Sequence, residues 1–320
     1  MDIEIIKRRG QIVSDIRHFF SQRHVLEVDT PVLSRAAPTA PYLESFKTEF
    51  IPIGSIDKAS YYLQTSPEFA MKVLLAAGSG SIYQIAKVFR NGEHGRVHSP
   101  EFTMLEWYRP ELNLEELMDE VAALLETITS YSGSIRFSYQ EVFSQYLNIN
   151  VLVCSKDELQ KLAIKRLPSF SGIPDLDRDG WLELLMSQVI ESELASLKKP
   201  VFIYNFPSSQ AQLAKVKLDN AGEEVAARFE LFAGGLELAN GYDELLDPKE
   251  LRKRFEYDNE QRLKLGKAEM PIDEKLLTAM ESGLPPCTGV ALGLDRLLML
   301  AMNKKSIDCV QNLPFLLKDY

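Results

Sequence analysis

At 320 residues, 45% hydrophobic and 26% charged, the chain has the make-up of a globular protein able to bury a sizeable core without disulfide or metal staples. No apolar run approaches a membrane span, and the acidic opening Met1-Asp2-Ile3-Glu4 lacks the layout of a secretory signal, so a cytoplasmic location with no membrane partner is expected. A net charge of -10 provides no overall basic field for gathering nucleic acid, which leaves only a local basic cleft for that purpose, and the three well-separated cysteines, Cys154, Cys287 and Cys309, read as reduced thiols.

Ile12, Ile16 and Phe19 recur at helical spacing, and Val25 to Thr30 reads as a strand closed by Pro31. A strand at Tyr61 to Thr65 runs into Ser66-Pro67-Glu68, where Ser66 suits an N-cap, Pro67 the first helical position and Glu68 the positive helix end; Gly78 stops that helix. Residues 82 to 90 and 102 to 108 form a long-looped antiparallel hairpin. Asn113 and Glu116 suggest a capping box for a helix with Leu117, Val121, Leu124, Leu125 and Ile128 on one side. The stretch from 134 to 220 is mixed, with a helix expected at Trp181 to Leu197 and a strand at Val201 to Tyr204. From Val225 to Leu238 two strands flank the favoured hairpin turn Gly234-Gly235, Asp247-Pro248 opens a charged helix expected on the solvated surface, and the strand Gly289 to Gly293 leads into a helix toward Met302. Without repeats or convincing linkers, residues 1–320 are expected to be one domain.

Hairpin parity says which side chains share a face. With Gly234 and Gly235 central, Phe232 lies opposite Glu237 and shares a face with Glu230, so the two acids are diagonal neighbours about 7 to 8 Å apart. Like charges so placed suit a magnesium ion bridging nucleotide phosphates, although two solvent-facing strand acids would look the same. In the earlier hairpin, Phe102, Glu106 and Tyr108 share a face. Arg90 could grip a carboxylate and a phosphate through its forked donors, or be a surface arginine at a strand end. Glu106, amid Phe102, Met104, Leu105 and Trp107, needs a cationic partner, either an internal Lys or Arg or a ligand ammonium. Arg296, one turn into its helix, could reach a terminal phosphate, with Gly289 and Gly293 letting a ligand approach the backbone. Glu68 is equally explained as a first-turn acid favoured by the helix dipole.

Together these pieces resemble the catalytic domain of class II aminoacyl-tRNA synthetases: motif 1 in the helix and strand ending at Pro31, motif 2 from Phe89-Arg90 through His98-Ser99-Pro100-Glu101-Phe102, and motif 3 from Gly289 through Arg296. Ser66-Pro67-Glu68, Met104-Leu105-Glu106-Trp107-Tyr108 and Glu237 through Glu244 are similar to the lysine branch. The resemblance implies an α+β fold with a central, mostly antiparallel sheet flanked by helices, and a homodimer built through the motif 1 helix, to which the apolar stripe on that helix is suited. It also implies roles. Glu106, Tyr108 and Glu244 would surround a side-chain ammonium, Glu68 and Asn240 would lie near the amino acid head, and Ser66 and Ala291 would complete the amino acid site. Arg90 and Arg296 would be catalytic and clasp ATP together with Asn91, Glu93, His98, Ser99, Phe102, Glu237, Leu238 and Gly293; Glu230 and Glu237 would bind Mg2+.

Lysyl-tRNA synthetases carry an N-terminal anticodon-binding domain, whereas here the motif 1 helix begins within the first dozen residues. The chain is therefore most similar to truncated paralogues of that branch whose acceptor is a lysine of elongation factor P, with lysine or (R)-β-lysine as the activated acid. The expected chemistry is in-line attack of the carboxylate on the α-phosphorus of ATP, with no protein nucleophile. A minimal enzyme charging tRNA, and a non-catalytic paralogue acting as a binding subunit, are the alternatives; the second is disfavoured because Arg90, Arg296, Glu230 and Glu237 are all present. Two positions depart from the family pattern: Gly92 stands where the adenine-side Glu is usual, with Glu93 following, and Ala291 replaces a usual glycine. An extra methyl in a pocket floor changes substrate discrimination by about 1 to 3 kcal/mol, which suits a β-amino acid.

Overall fold

The computed structural model describes residues 2–168 and 176–315. They fall into two compact units, one of Met1–Asn113, Thr127–Thr129 and Glu244–Tyr320, the other of Leu114–Glu126 and Ser130–Asp243.

The first unit opens with helix Ile3–Ser21, capped by Asp2, whose side chain accepts from Glu4 N at 3.0 Å. Its stripe of Ile12, Ile16, Phe19 and Phe20 is buried within the unit, where Phe20 stacks on Tyr83 at a ring separation of 4.4 Å. These residues are therefore occupied by the unit's own core, so the stripe gives no support to a dimer; the exposed apolar residues of this region are Leu26, Val32 and Leu33. The strand expected from Val25 to Thr30 shortens to Leu26–Glu27, because only these two residues pair, in parallel, with strand Ile82–Phe89.

Strand Ile82–Phe89 pairs antiparallel with Glu101–Arg109, which pairs antiparallel with Thr288–Gly293. Directly opposed residues share a face. The register Phe102↔Val88, Met104↔Ala86, Glu106↔Gln84 on one side and Met104↔Gly293, Glu106↔Ala291, Tyr108↔Gly289 on the other puts all of these positions on one surface. The reverse surface carries Leu105 and Trp107, both fully buried, with Trp107 edge-on to Phe20. One side of this sheet is thus the core and the other is available for chemistry.

Helix Glu68–Ala76 begins one residue later than the sequence suggests, with Pro67 at the N-cap. The Ser66 hydroxyl still accepts from Glu68 N at 3.0 Å but donates to Glu106, so it caps and binds at once. Helix Pro248–Lys264 corrects the expectation of a solvated element: Asp247 caps it as expected, but Leu251, Phe255, Asn259 and Arg262 are buried. Arg262 is held there by Glu44 Oε2 at 2.9 Å and the Ala268 carbonyl at 2.8 Å.

In the second unit the hairpin Glu224–Ala233/Leu236–Asp243 turns at Gly234 and Gly235, whose φ values of 59° and 74° only glycine adopts freely. Strand Val201–Pro207 flanks it antiparallel, and Ile135–Ser138 adds in parallel. Against this sheet pack helices Tyr139–Leu147, Lys156–Arg166 and Arg178–Leu185, burying Tyr139, Phe143, Trp181 and Leu185 with Ile203 and Phe206. The helix expected at Trp181 starts at Arg178 because Asp177 caps it, and continues through a π-helical turn, Met186–Ile190. Both units are α+β with mostly antiparallel strands flanked by helices, as expected. Among the described residues the three cysteines are free, and no helix is long and apolar enough to cross a membrane.

Candidate active site

Glu106 stands on the open surface of the first unit's sheet and is only 1% exposed. Both of its oxygens are engaged: Oε2 accepts from Ser66 Oγ at 2.7 Å and Oε1 from Tyr108 OH at 2.7 Å. Burial, and next the charge of Glu68, push its carboxyl up to about 7 against these two hydrogen bonds and Lys72. Glu244, also 1% exposed, follows the last residue of strand Leu236–Asp243 and is fixed by its N–H donating to the Cys287 carbonyl at 3.0 Å. Burial raises it to about 8, opposed chiefly by Lys72.

Lys72 was not anticipated from the sequence. Buried on helix Glu68–Ala76, its Nζ lies 2.6 Å from Glu68 Oε1 and 2.6 Å from Glu244 Oε2. Burial works against its charge, but Glu244 and then Glu68 outweigh that and hold the ammonium protonated far above neutral pH. The signal was in the sequence: a lone lysine in the apolar run Phe69-Ala70-Met71-Lys72-Val73-Leu74-Leu75, four residues after a glutamate.

Gly289 determines how closely this cluster packs. A Cβ there would come within 2.3 Å of the Tyr108 ring and 2.6 Å of Glu244 Oε1. The glycine thus admits two side chains of the site itself, rather than serving the ligand's approach directly. At Gly293 a Cβ would meet nothing nearer than 3.7 Å. Ala291 lies opposite Glu106, half-buried against Ala86, Val88, Met104 and Phe102.

Arg90 follows the end of strand Ile82–Phe89, with its N–H donating to the Pro100 carbonyl at 2.9 Å. Its guanidinium carbon sits 5.2 Å from the centre of the Phe102 ring, and its buried Nε has no hydrogen-bond partner. An orphaned charged donor beside an aromatic ring fits an anionic, planar ligand. Gly92, at φ 86°, turns the chain so that Glu93 comes back to 3.8 Å from Arg90, while Asn91 N donates to the Glu44 carbonyl at 2.8 Å. Ser99 Oγ is a second buried polar atom without a partner. Arg296 meets His98 Nε2 at 2.8 Å and the Val97 carbonyl at 3.3 Å. Since arginine only donates, His98 Nε2 accepts.

Asp295, missed in the sequence, anchors the helix carrying Arg296. Its two oxygens accept from Arg9 Nη1 at 2.5 Å and Thr103 N at 2.6 Å, while Arg9 Nη2 donates to Thr103 Oγ1 at 2.8 Å. Helix Ile3–Ser21, strand Glu101–Arg109 and helix Leu294–Ala301 are locked together there.

In the second unit, Glu230 and Glu237 share a face as parity requires, with Phe232 opposite Glu237. The pairing steps from Leu231↔Ala239 to Phe232↔Glu237, leaving buried Leu238 as the extra residue of a β-bulge. The bulge puts Asn240 opposite Glu230, on the face of Glu237, where unbroken alternation would not. Arg228, also not anticipated, donates to Glu230 and, at 3.2 Å, to Asn240 Oδ1. Burial lifts the Glu230 carboxyl to about 8; Arg228 opposes this, and the charges of Glu237, Glu183 and Glu191 add to it. Three acids, Glu183, Glu230 and Glu237, therefore share one arginine. Hard oxygen donors in excess of positive charge fit Mg2+, which takes one or two carboxylates and completes its shell with water and phosphate; among the described residues no three-acid metal cage exists, and magnesium needs none.

The family description "tRNA synthetases class II (D, K and N)" matches residues 3–316. The chain belongs to the class II tRNA synthetase family. Within it the chain is 48% identical to the "Elongation factor P--(R)-beta-lysine ligase" of Proteus mirabilis (strain HI4320) over 96% of its own length and 94% of the relative's. A protein of the same name from Vibrio cholerae is 48% identical over 98% of this chain and 96% of its own, and one from Yersinia pestis 46% identical over 96% and 94%. Membership of the class II synthetases implies use of ATP, and makes the Phe89–Phe102 segment motif 2 and Gly289–Arg296 motif 3, as the resemblance had indicated.

Proposed function

We propose that this chain activates (R)-β-lysine, or lysine, with ATP as an acyl-adenylate and transfers it to a lysine side chain of elongation factor P. The observation that carries the reading is the buried acid pocket of the first unit. A carboxylate excluded from water and pushed up to about 7, as Glu106 is, gains a stable charge only from a cation, and a substrate ammonium supplies one. The names of relatives 46–48% identical over nearly the whole chain supply the acceptor and the acid.

In this reading Glu106, Tyr108 and Glu244 bind the side-chain ammonium, Ser66 orients Glu106, and Glu68 and Asn240 bind the head of the amino acid. Arg90 and Arg296 stabilise the charge that builds on the α-phosphorus during in-line attack, with pyrophosphate leaving and no covalent enzyme intermediate. Phe102 supports the adenine, and Asn91, Glu93, His98, Ser99, Leu238 and Gly293 shape the nucleotide site. Glu230 and Glu237 would hold magnesium, which when bound neutralises phosphate oxygens. Residues 1–320 act as one catalytic domain, in a homodimer in the cytoplasm.

The test is the intact mass of elongation factor P after incubation with enzyme, ATP and each lysine isomer. A gain of one lysyl mass with a marked preference for the (R)-β isomer is expected. Label appearing on tRNA instead, or on neither acceptor, would overturn the assignment.

A further inference from the structure

The acids of the first unit surround a cation that already belongs to the protein. Lys72 is 1% exposed, and its ammonium lies 2.6 Å from a carboxylate oxygen on each of two segments far apart in sequence. Glu68 is one turn earlier on the same helix. Glu244 comes from the end of strand Leu236–Asp243, and its Oε2 faces the ammonium without the alignment of a full hydrogen bond. Glu106, on strand Glu101–Arg109, makes no bond to Lys72, because its two oxygens are taken by the hydroxyls of Ser66 and Tyr108. The pocket thus separates two kinds of carboxylate: Glu106 is held by neutral donors, while Glu68 and Glu244 are held by a fixed charge. When all three acids are ionised, Lys72 cancels one of their charges and leaves two, which matches a ligand bearing two ammonium groups.

We infer that Lys72 is a positioning residue for amine recognition: it keeps Glu68 and Glu244 apart, aimed and ionised, so that the ligand meets fixed negative charges rather than carboxyls that have taken up protons. The inference rests on the reading of this pocket as an amine site. Without Lys72, Glu68, Glu106 and Glu244 would share a dry space beside Tyr108 with no counter-charge, and like charges in such a space are relieved by protonation. Glu106 and Glu244 are already raised to about 7 and about 8 with Lys72 in place, so they are the groups that would neutralise.

The experiment is lysine-dependent exchange of pyrophosphate into ATP from pH 6 to 9.5, for the full-length wild type, Lys72→Met and Lys72→Ala. Loss of the positioning charge should raise KM for the amine substrate about tenfold or more at pH 7 while leaving KM for ATP within about twofold and kcat within about threefold. The pH at which the amine KM improves should move upward by about one unit, since the acids would lose their nearest cation. Propylammonium, which replaces the deleted side-chain atoms, should restore at least about a third of the lost affinity to Lys72→Ala. Should Lys72→Met fail to fold, the charge-matched double variant Lys72→Met/Glu244→Gln keeps the question open to test, because replacing both partners of a buried pair is far milder than removing one; it should fold and still show the raised KM. An amine KM within twofold of wild type with an unchanged pH profile, a lower KM, or a lack of rescue by propylammonium would each overturn the role of Lys72. A wild-type enzyme with no lysine-dependent exchange would instead sink the amine-site reading itself, and this inference with it.

Discussion

Two regions of the molecule use the same device for different ends. In the first unit Lys72 sits among Glu68, Glu106 and Glu244; in the second Arg228 sits among Glu183, Glu230 and Glu237. Each region buries one permanent cation against three acids and so retains an excess of negative charge. They differ in what completes the carboxylates. Glu106 is 1% exposed and its oxygens are already bonded to hydroxyls, which suits a bare ammonium that needs a dry, oriented site. Glu230, paired with Arg228, and half-buried Glu237 lie on a strand face that can admit water, which suits a cation that keeps most of its hydration shell. Acid count alone does not distinguish an amine site from a magnesium site; the neighbours of the acids do.

Substitutions can break this comparison at different depths. The largest effect is expected from Arg90→Ala, which should lower pyrophosphate exchange by about 10²- to 10³-fold with an unchanged melting temperature, since its Nε has no structural partner to lose. Gly289→Ala comes next. The added methyl meets the Tyr108 ring and Glu244, so the amine KM should rise about 100-fold while magnesium dependence stays put, as a titration of exchange rate against Mg2+ would show.

Glu106→Gln should raise the amine KM by about 10- to 30-fold, because one buried charge is lost but the hydrogen-bonding shape survives. Steady-state kinetics at pH 8 would measure it. At the smaller end, Glu237→Gln should raise the magnesium concentration for half-maximal rate about fivefold and leave the amine KM within twofold, which makes it the mirror image of the pocket variants.

Proton linkage sharpens the same contrast. Glu106 and Glu244 have raised carboxyl pKa values in the folded protein, so between about 4.5 and about 8 the folded state holds more protons than the unfolded one. The ligand-free protein should therefore lose stability as pH rises through that window, the penalty being absent below it. An ammonium ligand prefers the ionised acids, so its binding should release protons and tighten from pH 6 to 8. Calorimetry in buffers of different ionisation enthalpy would detect that release; proton uptake, or none, would contradict it.

Much of this was legible in the sequence because parity and periodicity are local. The alternation that put Phe102, Glu106 and Tyr108 on one face holds, and the Gly234-Gly235 turn sets Phe232 against Glu237. The bulge at Leu238 was not legible, because an extra residue changes the pairing without changing the composition, and only it brings Asn240 to the face of Glu237. Lys72, Arg228 and Asp295 were missed for a shared reason: each was weighed as a surface charge when its partners are distant in the chain or lie on another element. Arg228, two residues before Glu230 in an apolar strand, and Lys72, four after Glu68 in an apolar helix, were the recoverable cases. Arg262 was hidden within a charged run, where nothing separates the one buried arginine from its solvated neighbours until Glu44 is brought to it.

The most direct test of the amine pocket compares pyrophosphate exchange supported by (R)-β-lysine with exchange supported by the same acid lacking its terminal amine, in wild type and in Glu106→Gln. Wild type should respond only to the amine-bearing acid, and the variant should lose most of that discrimination. Equal exchange with both acids in the wild type, or discrimination that survives unchanged in Glu106→Gln, would contradict it.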